Sequence, residues 1–182
     1  MSSGEIAALA RRLDRPIVLV GMMGVGKSTV GRKLAQTLGL TFHDADDEIE
    51  KAARLTITEI FDKFGEEYFR DGERRVMARL MDGGRSVVAT GGGAFCQEDT
   101  RELILDKGIA VWLDSDVDTL VERVGRKDTR PLLRDGDPRE IIGRLRAERE
   151  PHYSQAHVSI KSGPGPHQNT VSRILEALDQ WL

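Results

Sequence analysis

The chain has 182 residues, of which 39% are hydrophobic and 31% are charged, and its formal net charge is −3. This length suits one compact domain spanning residues 1–182. The small negative charge gives no reason to expect a nucleic-acid partner, and no run approaches the roughly 20 apolar residues that span a bilayer. The single cysteine, Cys96, excludes an intrachain disulfide and suits a reducing compartment. We therefore expect a cytoplasmic protein with no membrane partner, and a monomer because no apolar face is left over.

Short apolar strands alternate with helices along the chain. Residues 1–15 predict an amphipathic helix before the first strand, without the continuous apolar stretch of a secretory signal. The strands are predicted at about 16–20, 40–43, 86–89, 109–113 and 157–160. Later helices are predicted at about 28–38, 46–54, 56–63, 66–81, 99–107, 116–124, 138–149 and 170–181. Thr56 followed by Glu59 resembles a capping box for the helix at 56–63. This alternation predicts a three-layer α/β/α fold around a parallel sheet, with ligands at the carboxyl ends of the strands.

Residues 21–28 carry the most specific signal. Their sequence, GMMGVGKS, fits the phosphate-loop pattern G-x-x-x-x-G-K-[ST] and lies between a predicted strand and a predicted helix. The glycines let several backbone N–H groups point into one concavity, where the helix dipole adds positive potential. Lys27 would then reach the β- and γ-phosphates of a nucleotide, and the Ser28 hydroxyl would hold Mg²⁺. The alternative is a glycine-rich turn between a core strand and a helix.

Two carboxylates end the second predicted strand. Asp44 and Asp46 are two residues apart, so in an extended chain they face the same side and look into the cleft of the phosphate loop. Mg²⁺ favours carboxylate oxygen, directly or through water, and the carboxylate further along would face an acceptor hydroxyl as orienter or base. In the alternative interpretation, Asp46 caps a helix and Asp44 is a turn residue.

The third predicted strand runs into three glycines, Gly91, Gly92 and Gly93. Consecutive glycines cost backbone entropy, and their benefit is close approach of the backbone to a ligand. A plain flexible turn is the alternative.

Three arginines lie in distinctive surroundings. Arg70 follows aromatic residues that could wall a pocket, Arg130 lies in the polar stretch 125–137, and Arg149 ends a predicted helix just beyond that stretch. A lid arginine at 130 could close over phosphates and neutralise developing charge. The residues alone leave open whether any of the three is functional.

Taken together, these segments resemble the shikimate kinase family. The likeness runs from about residue 17 to 153 and rests on more than the phosphate loop. It also includes Asp44-x-Asp46, Phe69-Arg70, Gly91-Gly92-Gly93, Arg130-Pro131-Leu132-Leu133 and Arg149-x-Pro151-x-Tyr153. The resemblance implies the P-loop kinase fold of the nucleoside-monophosphate-kinase type, with a five-stranded parallel sheet and a mobile lid at 125–137. It also implies transfer of the ATP γ-phosphoryl group to the 3-hydroxyl of shikimate, in chorismate and aromatic amino acid biosynthesis.

For the nucleotide, the resemblance implies that Lys27 and the loop amides hold the ATP phosphates and that Arg130 acts from the lid. Ser28 would ligate Mg²⁺, and Asp44 would contact the ion through water. The loop at 163–169 would lie near the adenine. The expected nucleotide-binding residues are Gly24, Val25, Gly26, Lys27, Ser28, Thr29 and Arg130.

For the acceptor, the resemblance implies a substrate-binding helical region at residues 46–82. Arg70 and Arg149 would grip the shikimate carboxylate, a task suited to the guanidinium fork. Asp46 would bind the hydroxyls and serve as base, so Lys27, Asp46 and Arg130 are the expected catalytic residues. The expected substrate-binding residues are Asp46, Phe61, Phe69, Arg70, Gly91, Gly92, Gly93 and Arg149.

Some positions depart from the family pattern. Residues 1–15 are an extension of unknown purpose, His152 stands where a leucine-like residue is more usual, and Cys96 has no clear counterpart. Two other functions stay open. One is a kinase of similar fold for another small acid, such as a gluconate kinase, and the other is a nucleotide-dependent switch without an acceptor substrate.

Overall fold

The computed structural model describes residues 1–125 and 136–182. In this part of the chain the strands are β1 (Ile17–Val20), β2 (Thr41–Asp44), β3 (Ser86–Ala89), β4 (Ile109–Asp114) and β5 (Val158–Lys161). They form one parallel sheet in the order β2-β3-β1-β4-β5. At its centre, Leu19 of β1 lies beside Ala89 of β3 and Val111 of β4. The predicted five-stranded parallel sheet is confirmed.

Helices connect and flank the strands. They are α1 (Ser3–Arg12), α2 (Lys27–Leu38), α3 (Ala45–Ala53), α4 (Ile57–Asp82), α5 (Glu98–Lys107), α6 (Val117–Gly125), α7 (Pro138–Tyr153) and α8 (His167–Trp181). A short 3-10 turn, Ala94–Cys96, follows β3. These helices are the crossover connections that parallel strands require. The α/β prediction is therefore confirmed. Among the described helices, none is long and apolar enough to cross a bilayer.

Burial differs between the middle and the edges of the sheet. The central strands β1 and β3 are buried at every position, as expected for strands covered on both faces. The edge strand β2 is exposed or half-buried along its whole length, and β5 at the other edge alternates between buried and exposed residues. The carboxyl end of β2 therefore brings polar side chains to an accessible rim of the sheet.

Helix α4 is one element where the sequence predicts two helices, at about 56–63 and 66–81. Gly65 lies inside it with φ +84° and ψ 176°, outside the helical region, so the element is kinked there. Glycine reaches this positive φ without the steric cost of a side chain. The capping box predicted at Thr56 is present, because Thr56 and Glu59 hydrogen-bond reciprocally through side chain and backbone. After the kink, α4 brings Arg70 next to Gly93, which follows β3.

Two helices differ from their predicted bounds. Helix α7 continues past Arg149 to Tyr153, although Pro151 lies in its last turn. Proline removes a backbone donor, but the buried Tyr153 anchors this end of the helix in the core. Helix α8 begins at His167, three residues before its predicted start.

The N-terminal helix α1 is part of the fold. Its Leu9, and Leu13 just after it, are buried in the main hydrophobic core. On the surface, Arg12 pairs with Asp179 at 2.5 Å, and Arg85 donates to the carbonyl of Ala10 at 3.1 Å. These contacts connect residues 1–15 to α8 and to the start of β3.

Candidate active site

The phosphate loop, residues 21–28, follows β1 and runs into α2. Its last glycine, Gly26, is the N-cap of α2 and has φ +97°, a conformation that disfavours a side chain. The first amides of α2 therefore point into the loop, at the positive end of the helix dipole. This arrangement is a backbone anion site, and Gly24, Val25, Gly26, Lys27, Ser28 and Thr29 all belong to it.

Lys27 is folded back into this loop. Its side chain is only 8% exposed, and Nζ donates to the carbonyls of Gly21 at 2.6 Å and Met22 at 2.9 Å. Hydrogen bonds to these carbonyls replace the lost hydration of the ammonium, as a buried charge requires. The charge is consequently held at the mouth of the loop.

Ser28 and Asp44 meet at the junction of α2 and β2. The Ser28 hydroxyl donates to Asp44 Oδ2 at 2.6 Å. The other oxygen of Asp44 accepts from the backbone N–H of Asp46 at 3.0 Å and of Asp47 at 3.3 Å. Asp44 is therefore the N-cap of α3, and the alternative that gave the cap to Asp46 is wrong. The cap fixes the Asp44 carboxylate beside Ser28.

These donors suit a hard divalent cation. A hydroxyl and a carboxylate oxygen lie together beside the phosphate loop. Among the described residues, no group of three or more His, Cys, Asp or Glu could enclose a metal ion without other ligands. Such a sparse oxygen set fits Mg²⁺, which usually keeps several waters and binds phosphate oxygens as well.

The three glycines after β3 are a convergence point. A methyl group on Gly91 would lie 2.8 Å from Asp46 Oδ1, one on Gly92 would lie 3.1 Å from Arg149 Nη1, and one on Gly93 would lie 2.5 Å from Arg70 Nη2. An added Cβ at Gly91 or Gly93 would force the facing side chain to shift, and one at Gly92 would require Arg149 to move by a few tenths of an ångström. The glycines thus admit charged groups from α3, α7 and α4 to one surface.

Sequence reasoning missed a fourth charged member of this group. Glu73 is 1% exposed and accepts from Arg70 Nη1 at 2.8 Å. Burial raises the pKa of the Glu73 carboxyl above its usual range, although the charge of Arg70 opposes this shift, and nearby Asp46 raises the pKa further. The available signal was its position one helical turn after Arg70. We call Asp46, Arg70, Glu73, Arg149 and residues 91–93 the triplet cluster.

Three hydrogen-bonding atoms in the triplet cluster have no hydrogen-bond partner among the described residues. They are Arg70 Nε, Glu73 Oε2 and Arg149 Nη1, and all three atoms are buried. Buried polar groups are normally paired, so unpaired ones call for an explanation. A polar ligand at this surface would provide one.

Aromatic residues border the cluster. Phe61 and Phe69 lie on either side of the α4 kink, with ring centroids 4.8 Å apart. Phe69 is buried and Phe61 is 37% exposed. The guanidinium carbon of Arg70 lies 5.2 Å from the centre of the Phe69 ring. The predicted apolar wall is therefore next to the charged groups.

The end of helix α7 holds the glycines in place. The Tyr153 hydroxyl donates to the carbonyl of Gly92, and its ring stacks on Trp112 of β4. Burial raises the pKa of the Tyr153 hydroxyl, so it stays a donor. His152 accepts from Arg101 at 3.2 Å, and Arg101 also donates to the Phe95 carbonyl. These contacts join the end of α7 to the glycines and the 3-10 turn.

Residues 163–169, the last three of which belong to α8, lie beside the phosphate loop. Arg123 of α6 donates to the Val25 carbonyl at 2.9 Å and to the Gly163 carbonyl at 2.8 Å. Sequence reasoning did not single out Arg123, because nothing distinguishes it from the other arginines of exposed helices. Arg130 and most of the predicted lid at 125–137 lie outside the described residues.

Comparisons with known proteins agree with one another. A family model described as "Shikimate kinase" matches residues 23–179. The shikimate kinase of Novosphingobium aromaticivorans is 66% identical over 186 residues, covering 100% of this chain and 96% of the relative. That of Rhodopseudomonas palustris is 54% identical, covering 100% and 89% respectively. The solved structure of shikimate kinase from Acinetobacter baumannii in complex with shikimate has a TM-score of 0.87 at 39% identity, covering 96% of each chain.

Proposed function

The chain belongs to the shikimate kinase family, and on this premise we propose how its residues perform the reaction. The protein is an ATP-dependent phosphotransferase that converts shikimate and ATP to shikimate 3-phosphate and ADP. Gluconate kinase and a non-catalytic switch are not favoured by these relatives.

The phosphate loop binds the triphosphate of ATP. Its amides from Gly24 to Thr29 donate to the phosphate oxygens, and the dipole of α2 adds to their attraction. Lys27 exchanges its carbonyl contacts for the β- and γ-phosphates, where its charge opposes the charge that develops in the transition state. Arg130, outside the described residues, is proposed as a second cation at the phosphates.

Ser28 and Asp44 would hold Mg²⁺ together with the nucleotide. Their oxygens suit the ion, and the capping contacts of Asp44 keep its carboxylate in place. When bound, the ion neutralises phosphate charge.

The triplet cluster binds shikimate. Arg70 and Arg149 grip the carboxylate, and the unpaired Nη1 of Arg149 is a donor suited to it. Glu73 holds Arg70 in position through their 2.8 Å hydrogen bond. The glycines let the ring lie against the backbone, and Phe61 with Phe69 shields it from water.

Asp46 connects the two halves. It follows the Asp44 cap by two residues, and its carboxylate lies against Gly91. We propose that it accepts a hydrogen bond from the 3-hydroxyl, aligns the oxygen for in-line attack on the γ-phosphorus, and takes the proton. Because the transition state of phosphoryl transfer is loose, this alignment contributes more than proton removal.

The observation that carries these roles is the convergence of Asp46, Arg70 and Arg149 on three consecutive glycines. A coupled ADP-release assay with shikimate, gluconate or no acceptor tests it. We expect turnover with shikimate, and for R70A a KM for shikimate raised about 10- to 100-fold, the scale of a charged hydrogen bond.

R74A is the matched control, because Arg74 lies on the same helix and pairs with Asp71 on the surface. We expect its KM to be unchanged. An unchanged KM for shikimate in R70A would show that Arg70 does not bind the carboxylate. Turnover with gluconate but not with shikimate would contradict the assignment of shikimate as the substrate.

We also propose a cytoplasmic location and a monomeric state. The unpaired Cys96 and the dependence on ATP support the first, and the burial of the apolar side chains of α1 and α8 in one core supports the second. Light scattering of the purified protein tests the oligomeric state, since a stable dimer would double the measured mass.

A further inference from the structure

His167 touches the phosphate loop from a distant part of the chain. It is the first residue of α8, and a methyl group on Gly26 would lie 2.8 Å from its Cε1 and 3.2 Å from its Nδ1. Gly26 directly precedes Lys27, so the imidazole lies against the backbone that cradles the phosphates. None of the roles proposed above uses this ring.

The charged groups around the imidazole are cations. Arg123 of α6 reaches the same edge of Gly26, where its Nη1 lies 3.7 Å from the methyl position, and the charge of Lys33 of α2 also acts on the ring. Helix α8 has no acidic residue in its first turn, and its positive dipole end falls at His167. All of these contributions oppose a positive charge on the ring.

These surroundings favour the neutral form of the ring in the free protein. Burial lowers the pKa of His167, and the charges of Arg123 and Lys33 lower it further. Its Nδ1 is buried and has no hydrogen-bond partner among the described residues, so no carboxylate or carbonyl fixes a proton there. The protonation state is therefore open to a change in nearby charge.

We propose that His167 is a positioning residue for the nucleotide and that it takes up a proton from solvent when a nucleoside polyphosphate binds to the phosphate loop. The inference rests on the nucleotide site proposed above. A polyphosphate brings several negative charges next to Gly26, which reverses the local balance and stabilises the imidazolium. The imidazolium then adds a positive charge beside the α2 amides.

The proton linkage has a definite sign. Since the complex holds the proton more tightly than the free protein, the complex binds more protons in the pH range between the two titrations. Nucleotide affinity is highest below this range, falls as pH rises through it, and levels off above it. A purely structural role for His167 would leave no such dependence.

Isothermal titration calorimetry with Mg-ADP tests the proposal. Titrations near pH 7 in buffers of different ionisation enthalpy report the protons taken up for each nucleotide bound. The variants are H167Q and H167N, and the control is H43Q, a histidine on β2 with Glu48 as a charged neighbour. Because each variant binds the same nucleotide, the ionisation of ADP cancels in the differences.

We expect wild type and H43Q to take up on the order of half a proton more than H167Q and H167N. Their affinity should fall about three- to tenfold between pH 6 and pH 8 relative to the variants. Thermal unfolding checks that each variant is folded, and two substitutions guard against one failing. Equal proton uptake in all four proteins would overturn the role of His167 while leaving the nucleotide site intact. Absence of ADP binding in wild type would overturn both.

Discussion

The phosphate loop and the triplet cluster lie next to each other, since a methyl group on Gly92 would lie 3.5 Å from the backbone N of Met23, but they are built differently. The loop is one continuous segment, residues 21–28, and its proposed binding groups are mainly backbone amides. The cluster draws Asp46 from α3, Arg70 and Glu73 from α4, and Arg149 from α7 onto the glycines after β3. A local backbone motif is sufficient to bind phosphate, a ligand group common to many proteins. Recognition of one specific acid needs side chains from several elements.

This difference predicts that substitutions in the two regions separate kinetically. The largest effect is expected for K27A. Loss of the ammonium removes charge stabilisation at the transferred phosphoryl group, and kcat should fall by at least about 10²–10³-fold. Steady-state kinetics measure this fall, and the KM for shikimate should change little.

K51A is the control for that variant, because Lys51 is exposed and pairs only loosely with Glu48 at 3.6 Å. Its kcat should equal that of wild type. If K27A retained most of its kcat, the loop would bind phosphate without contributing to transfer.

The next largest effect is expected for G93A. The added methyl would lie 2.5 Å from Arg70 Nη2 and force the guanidinium aside. Overpacking of this kind costs about 1–3 kcal/mol, so the KM for shikimate should rise roughly 10- to 100-fold while the KM for ATP is retained. The control G72A adds a methyl on the same helix as Arg70 with nothing within 4 Å. Equal kinetics for the two variants would contradict the steric role of Gly93.

E73Q tests the buried carboxylate. We expect about a 5- to 20-fold rise in the KM for shikimate, because a neutral amide orients Arg70 less firmly. The control E66Q changes the other carboxylate near Arg70, which is exposed and 3.6 Å away, and should have little effect.

The pH dependence of kcat/KM for shikimate also tests the role of Glu73, because the direction of its change can be predicted. Because the pKa of Glu73 is raised, its carboxylate gains a proton at a higher pH than an ordinary glutamate and then loses its ionic contact with Arg70. Wild-type kcat/KM for shikimate should fall on that acid side, and E73Q should lack this component. For stability, the raised pKa favours the folded state at low pH, so this contribution decreases as pH rises through the folded pKa. A wild-type acid limb unchanged in E73Q would exclude Glu73 as its source.

The smallest effect is expected for F61A. Phe61 is partly exposed and packs on Phe69, so its loss should raise the KM for shikimate about threefold. F64A is matched to it, since Phe64 is more exposed and stacks on Tyr68 instead. A larger effect for F64A than for F61A would place the apolar wall elsewhere on α4.

Much of the fold was predictable from local signals. The alternation of short apolar runs with helical patterns predicted the parallel sheet, and Thr56 with Glu59 predicted a helix start. The errors came from tertiary packing. The predicted end of α7 is at about residue 149, yet the burial of Tyr153 carries the helix past it and through Pro151. Propensity is a weak prior where packing opposes it.

The site shows the same division. Residues 21–28 predict an anion site by themselves, because a glycine-rich loop between a strand and a helix forms through local folding alone. Local surroundings distinguish Arg70 and Arg149 among 27 lysines and arginines, but the family resemblance was needed to assign them to the acceptor carboxylate. Glu73 and His167 were not identified as functional, because their importance depends on neighbours far away in the chain.

The sequence by itself determined the order of strands and helices, the phosphate loop and the family, because these depend on short-range patterns of glycine, charge and apolar residues. Only the tertiary structure decided which charged groups meet. Glu73 reaches Gly91, Arg149 reaches Gly92 and His167 reaches Gly26 because the sheet order and the kink at Gly65 bring separate helices together. The physical reason is that contacts between distant segments are set by packing of the whole core, to which no single segment is a guide.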